Sequence, residues 1–338
     1  MSTPTLSFFN NKGGVGKTTL VYHLSWMLAE LGLNVLVVDA DPQANLTAAF
    51  LDEAALIDLW NTDPGQPAQT LFDALRPLTR VGDILPVQAR QITPGLHLIP
   101  GDLALSGFED PLSEQWAKAL SEENAERALL VLSAFWRVAQ QSAADLQADL
   151  IIFDVGPNLG AINRSVLLGT DHVIVPLAAD LFSLQGLRNL GPALKRWRSG
   201  WAVRRQAVDA TLGPLPDGAM QPAGYIGLQH QERLSRPVQA YVSWLNRIPG
   251  EYRQCLLYEP AQPPESLPDI RNDPHCLALL RHYKSLIPFA QEARKPVFKL
   301  RSADGAIGSH GAAVSRAYQD FEQLACKILD RIGLALPL

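Results

Sequence analysis

The residues best equipped for chemistry sit in one short run near the amino terminus, Lys12-Gly13-Gly14-Val15-Gly16-Lys17-Thr18-Thr19. Glycines at this density let the backbone curl until several N–H groups face one anion. A helix that starts there adds its dipole to the same field. Lys17, at the end of such a loop, can reach the β- and γ-phosphates of a nucleotide, and the Thr18 hydroxyl beside it can ligate Mg²⁺. Two apolar runs end in acids: Val35-Leu36-Val37-Val38-Asp39-Ala40-Asp41 and Asp149-Leu150-Ile151-Ile152-Phe153-Asp154. An aspartate at the end of a strand can cap a following helix. In an open α/β sheet it also stands where ligands bind, outside the carboxyl ends of the strands.

These residues need elements to hold them, and the chain supplies strand and helix signals in alternation. Residues 5–10 form a short β-prone run (Leu6, Phe8, Phe9) that leads into the glycine-rich segment. After it, Leu20, Leu24, Met27, Leu28 and Leu31 fall at helical spacing, with Gly32 where a helix stop belongs. The run 35–38 is continuously apolar, as expected of a strand covered on both faces of a parallel sheet. Similar runs recur at 96–100, 149–154, 172–176 and 225–228. The pattern predicts an α/β fold, with a mostly parallel twisted sheet flanked by helices on both faces. Residues 52–67 read as a loop. Residues 114–147 read as one or two helices, with Leu120, Leu129, Leu130, Leu132 and Phe135 facing inward. Residues 212–222 and 260–274 are turn-rich connections. With no fixed-period repeat and no low-complexity tract, one domain over residues 1–338 is expected, decorated at about 52–147 and 212–281.

Composition narrows the classes. The 338 residues are 47% hydrophobic and 19% charged, ordinary for a globular chain large enough to bury its own core. The three cysteines, Cys255, Cys276 and Cys326, are odd in number and widely spaced, which excludes a disulfide framework or a CxxC motif. A net charge of −5 excludes a globally basic nucleic-acid protein but not a local basic patch. No apolar run approaches the ~18 residues of a membrane span, and no basic-then-apolar leader precedes the glycine-rich motif. The expected setting is a reducing cytoplasm. The seven histidines show no ligand spacing; Arg281-His282 and His275-Cys276 come nearest and fall short of a zinc pattern.

The loop starts with Lys12 where the general phosphate-loop pattern has no lysine, and in this it resembles the deviant Walker A motif, K-G-G-x-G-K-[ST]-[ST], of the ParA/MinD family of P-loop ATPases. Asp39-Ala40-Asp41-Pro42-Gln43-Ala44-Asn45 is similar to that family's switch I, D-x-D-P-Q-x-N. Residues 149–154 resemble its Walker B strand, and Val155-Gly156-Pro157-Asn158-Leu159-Gly160 its switch II, with Gly156 where proline is more usual. Residues 171–176, Asp180 and 182–186 look like the family's following strand and helix. Residues 287–296 resemble the segment whose backbone lies beside adenine. Residues 227–235 lack the aspartate and threonines usual in the family.

The resemblance implies a SIMIBI-type P-loop NTPase that uses ATP and Mg²⁺. By carry-over, Gly13, Gly14, Val15, Gly16, Lys17, Thr18, Thr19, Gly156 and Glu292 would hold the nucleotide. Thr18, Asp39 and Asp154 would form or support the metal site. Lys17 and Asp41 would serve catalysis, Asp41 by orienting the attacking water. Lys12 would cross to the partner's nucleotide in an ATP-bound homodimer, like an arginine finger, a role worth about 10³–10⁵ in rate in other NTPases.

Family members bind DNA non-specifically through basic residues of the carboxyl half. Arg188, Lys195, Arg196, Arg198, Arg204 and Arg205 form an acid-free stretch suited to phosphate contact without base readout. Arg281, Lys284, Arg294, Lys295, Lys299 and Arg301 form a second basic group. The implied role is partition or positioning of plasmid, chromosome or other cargo, with hydrolysis stimulated by a ParB-like or other activating partner. The alternative is an ATP-gated adaptor that acts on a protein partner without DNA. A reductase like the nitrogenase iron protein would need an early cysteine pair, and no cysteine precedes Cys255. The tail, residues 325–338, has too few cations for a membrane-anchoring helix and reads as a last core helix.

Overall fold

Among the described residues, short runs, most of them aliphatic, build one eight-stranded sheet: β1 (Thr5–Phe8), β2 (Val35–Asp39), β3 (Arg90–Thr93), β4 (Leu96–Ile99), β5 (Leu150–Asp154), β6 (His172–Ala178), β7 (Gln221–Gln229) and β8 (Cys276–Arg281). The computed structural model describes residues 2–61, 66–121, 123–206, 212–229, 243–263, 266–281, 283, 285–306 and 308–337. The strand order is β3-β4-β2-β5-β1-β6-β7-β8. Each neighbouring pair is parallel except β3 with β4.

The helices are α1 (Lys17–Glu30), α2 (Asn45–Phe50), α3 (Glu53–Trp60), α4 (Leu71–Leu75), α5 (Glu109–Lys118), α6 (Ala125–Leu132), α7 (Ala134–Leu146), α8 (Ala161–Leu168), α9 (Leu181–Gln206), α10 (Ile248–Tyr252), α11 (Ile287–Ala293) and α12 (Ser309–Ile332). Alternation along each strand sorts them into two layers. Val35 and Val37 pack with Leu24 and Leu28 of α1 and with Leu324 and Ile328 of α12. Leu36 and Val38 pack on the other face with Phe135 of α7 and Leu187 of α9. Both faces are therefore dry, which is why these strands read as unbroken apolar runs. Each such side chain removed from water contributes about 1.5–3 kcal/mol. Among the described residues, no helix is long and apolar enough to cross a membrane.

Four sequence expectations change. Residues 52–67 are not all loop: the Asp52 side chain accepts a hydrogen bond from Ala55 N at 2.8 Å and starts α3. Residues 62–65 of that stretch lie outside the described residues. Leu120 is 55% exposed, because α5 ends at Lys118 and leaves it in a turn; Leu130 is half-buried, whereas Leu129, Leu132 and Phe135 are core. β3 carries no strand signal in the sequence, since Arg-Gln-Ile-Thr is mostly polar and, among the described strands, it pairs with β4 alone. β8 is likewise absent from the expected strands and lies directly after the turn-rich stretch 260–274.

The register sets up the site. Asp39 at the end of β2 stands beside Asp154 at the end of β5, and Asp154 beside Phe8 at the end of β1. Three parallel strands thus deliver their carboxyl ends, and the loops that follow, to one edge of the sheet.

Candidate phosphate-binding site

The glycine-rich run leaves β1 and enters α1 through two left-handed glycines, Gly14 at φ 71° and Gly16 at φ 85°. A side chain at either position would be strained, so glycine is required for the turn. Gly16 caps α1 with no side-chain hydrogen bond, leaving the first N–H groups of the helix without a side-chain partner. Val15 is buried and anchors the loop, while Gly13, Gly14 and Thr19 are exposed and Thr18 is half-buried. Asn10 braces the entry: its amide donates to Pro176 O at 2.7 Å and its Oδ1 accepts from Lys12 N at 3.0 Å. Lys17 arches back over the loop, donating through Nζ to Asn10 O at 3.1 Å and Lys12 O at 3.3 Å. Burial lowers its proton affinity, opposed by the nearby charges of Asp154 and Asp41.

The acids divide by partner. Asp39 is clamped: its Oδ2 accepts from Thr47 N at 2.8 Å and Thr47 Oγ1 at 2.6 Å, and Thr47 Oγ1 accepts in turn from Gly101 N at 2.8 Å. Burial, only partly offset by these bonds, raises its pKa to about 6. Asp41 accepts from Gln43 N at 3.0 Å. Asp154 differs from both. Its carboxylate is fully buried and neither oxygen closes a hydrogen bond of proper geometry, although the Thr18 hydroxyl lies near enough to temper its proton affinity. Burial, then Asp39, raise its pKa well above the usual carboxylate range. An orphaned buried carboxylate flanked by Lys17 and Thr18 is a poor structural element and a good cation ligand. The donor set, one carboxylate and one hydroxyl, fits Mg²⁺, which takes few protein oxygens and leaves the rest to phosphate and water.

A Cβ on Gly156, two residues past β5, would lie 3.4 Å from Asp41 Oδ1, so the loop after β2 and the turn after β5 touch. That turn is held by residues which sequence reading did not single out. Asn163 Nδ2 donates to Gly156 O at 2.9 Å and Asn158 O at 2.7 Å. Glu109 accepts from Ala161 N and from Ile162 N (3.0 Å), supplying the N-cap that α8 lacks locally. Asn10, Thr47 and Glu109 carry no motif; only proximity in space reveals them.

Beside the loop lies a cavity of about 200 Å³, walled by Gly14, Gly16 and Thr19 on one side and by Leu228, Tyr283 and Ile287 on the other. The segment 287–296 therefore begins at this cleft. Glu292, by contrast, is exposed on α11 and is not among the side chains walling it. Residues 230–235 of the 227–235 stretch, together with His282 and Lys284, lie outside the described residues.

Lys12 Nζ is ion-paired with Asp180 of the same chain and sits 5.8 Å from the Phe182 ring centroid. The basic stretch of α9 is less free than its sequence suggests, and here the expectation needs correction. Arg204 is buried, donating to Trp116 O at 2.8 Å and Gly200 O at 2.9 Å while stacking on the Trp116 ring. Arg198 donates to Ala219 O and Met220 O, both at 2.9 Å. Arg188 pairs with Glu251 and Arg205 with Asp217. Lys195 and Arg196 remain exposed, with Lys195 5.1 Å from the Tyr258 ring centroid. Helical spacing could not show this, because all these partners but Gly200 lie outside α9.

A family model described as AAA domain matches residues 3–202. The chromosome partitioning protein ParA of Caulobacter vibrioides is 31% identical over 209 residues, which is 61% of this chain and 68% of that protein. A crystal structure of a protein from Corynebacterium diphtheriae superposes with a TM-score of 0.71 at 25% identity, covering 98% of this chain and 99% of the other. The ATP complex of McdA from Cyanothece shares the fold, with a TM-score of 0.60 at 16% identity over 100% of this chain and 99% of that one.

Proposed function

The chain belongs to the AAA domain family and, within it, to the ParA-like P-loop ATPases, and from that premise we propose that it is a partition ATPase whose ATP-bound homodimer holds DNA non-specifically. The observation that carries the reading is the unpartnered Asp154 carboxylate beside Thr18 and Lys17, next to a glycine-rich loop that opens α1 without a side-chain cap.

In this reading the loop from Gly13 to Thr19 cradles the phosphates, and Lys17 turns from the Asn10 and Lys12 carbonyls to the β- and γ-oxygens. Thr18 and Asp154 hold Mg²⁺, with Asp39, clamped by Thr47, lending charge from behind. The ion, when bound, neutralises phosphate charge. Asp41, held by Gln43 N and close to Gly156, orients the attacking water. The Gly156 N–H, which proline would lack, is available to the γ-phosphate. Lys12 leaves Asp180 and reaches the partner subunit's nucleotide. A ParB-like or other activator stimulates slow hydrolysis, which releases the dimer and the cargo.

ATP turnover by wild type, Asp41→Ala and Lys12→Ala tests the chemistry, and undiminished turnover in both variants would remove it. Retention on arbitrary duplex DNA should require ATP and fall steeply with salt; retention without ATP would sink the DNA half.

A second reading, an ATP-gated adaptor for a protein partner, is favoured by the number of α9 arginines already committed within the fold. An ATP-bound dimer that leaves duplex DNA unshifted would select it.

A further inference from the structure

α8 begins at Ala161 with Gly160 in its N-cap position, so its own sequence offers no side chain to the first N–H groups of the helix. Glu109, the first residue of α5, meets them instead: Oε1 accepts from Ala161 N, and Oε2 accepts from Ile162 N at 3.0 Å. Both carboxylate oxygens thus face the positive end of one helix, which makes the cap a charge-assisted one. The approach is close. A Cβ on Gly160 would lie 2.5 Å from Glu109 Oε1, so a local capping side chain and Glu109 cannot share the place.

The cap acts on the turn after β5 through one buried side chain. Asn163, on the first turn of α8, donates through Nδ2 to Gly156 O at 2.9 Å and to Asn158 O at 2.7 Å. Asn158 Oδ1 accepts from Gly160 N at 2.9 Å, which closes the turn on itself. Gly156 lies against Asp41, and Asp154 ends the strand before it. Fixing the start of α8 therefore fixes the backbone that runs from Asp154 past Asp41.

Arg164 shows that Glu109 is committed to this task. Its guanidinium stacks on Trp116 of α5, 4.4 Å from the ring centroid, and its Nε and Nη2 are buried without an acceptor. Burial, then the neighbouring Arg204 charge, lower its pKa to about 10, and the Glu109 charge opposes them. A carboxylate present only to balance an arginine would turn its oxygens to those unmatched donors. Glu109 keeps both oxygens on the end of α8 and leaves the guanidinium unpaired.

We infer that Glu109 is a positioning residue for hydrolysis, holding α8, and through Asn163 the turn that carries Gly156, in place beside Asp41 and Asp154. The inference rests on reading the glycine-rich loop as an ATP site. Among the described residues, the Glu109 carboxylate hydrogen-bonds to α8 and not to that loop or to the acids. Its effect therefore falls on the catalysed step and not on nucleotide binding.

The test measures ATP turnover and ATP affinity of the full chain with Mg²⁺ for wild type, Glu109→Ala, Glu109→Gln and Arg164→Met. Glu109→Ala should lower kcat by about 10–100-fold, the scale of a ~1 Å misplacement, with ATP affinity within about threefold of wild type. Glu109→Gln keeps one acceptor for the helix end, so its kcat should lie between the two. Arg164→Met retains a side chain against Trp116 and removes the guanidinium, so its kcat should stay within about twofold of wild type. Thermal melts fix an assay temperature at which every variant is folded. Should Glu109→Ala not fold, the same split between kcat and affinity is required of Glu109→Gln alone. Unchanged kcat in Glu109→Ala, no recovery in Glu109→Gln, or an equal fall in Arg164→Met would overturn the inference while leaving the ATP site intact. Failure of wild type to bind or hydrolyse ATP would instead remove the site reading and the inference with it.

Discussion

The Lys12 ammonium and the Asp180 carboxylate are ion-paired within one chain, 30% and 26% exposed, so the lysine that would serve a partner is engaged at home in the single subunit. Hydrogen bonds from Lys12 and Ser183 hold Asp180 below the usual carboxylate range despite its partial burial.

Cutting that pair should favour association. A half-exposed pair is worth about 0.2–1 kcal/mol, so Asp180→Asn should raise the ATP-dependent dimerisation constant by roughly two- to fivefold. Sedimentation with an uncleavable ATP analogue reads this directly. An unchanged or weakened dimer would show that Lys12 is not being released.

Loss of Asp41 should separate binding from chemistry. Asp41→Ala should lower turnover by about 10²–10⁴ while nucleotide affinity stays within a few-fold, as for groups that act on the attacking water. A parallel loss of affinity would mean that Asp41 builds the loop and does not serve the reaction.

Thr47 connects Asp39 to Gly101 through a single hydroxyl. Thr47→Val leaves a buried carboxylate oxygen short of one donor and a buried N–H without its acceptor. The expected cost is about 2–3 kcal/mol, seen as a lower urea midpoint with an unchanged m-value. A neutral substitution would mean that water can replace the hydroxyl.

Acid should weaken the fold through His23. The unfolded chain takes up this proton near pH 6.5 and the folded chain only near 4, so the unfolded state binds more protons in between. Stability contributed by the neutral ring is whole above pH 6.5 and is lost as pH falls towards 4, by up to roughly 3 kcal/mol. Asp39, raised to about 6, acts with the opposite sign, but it is common to wild type and His23→Asn. The difference between their urea stabilities at pH 7 and pH 4.5 therefore isolates His23. An identical pH dependence would show that the ring is already solvated.

DNA contact, if made by α9, must come chiefly from Lys195 and Arg196. Replacing both with alanine should reduce the slope of log affinity against log salt by roughly 2, at about 0.9 per released counterion. Arg204→Leu should instead destabilise the fold, since its guanidinium serves Trp116 and Gly200. An unchanged slope in the double variant would move the interface elsewhere.

Local physics was enough for the phosphate loop and its frame. The glycines at 14 and 16 are required by positive φ, the run 35–38 by burial on both faces, and the helix after Lys17 by the spacing of Leu20, Leu24 and Leu28. Such features depend on neighbours a few residues away, so order along the chain is sufficient to reveal them. Tertiary structure decided everything that depends on distant partners. It left Asp154 unpartnered while clamping Asp39 on Thr47. It committed Arg198 to Ala219 O and Arg204 to Trp116 O, capped α8 with Glu109 from 52 positions away, and left His23 Nε2 buried without a donor. A charge or a lone pair acquires its role from what faces it across space, and no periodicity in sequence records that.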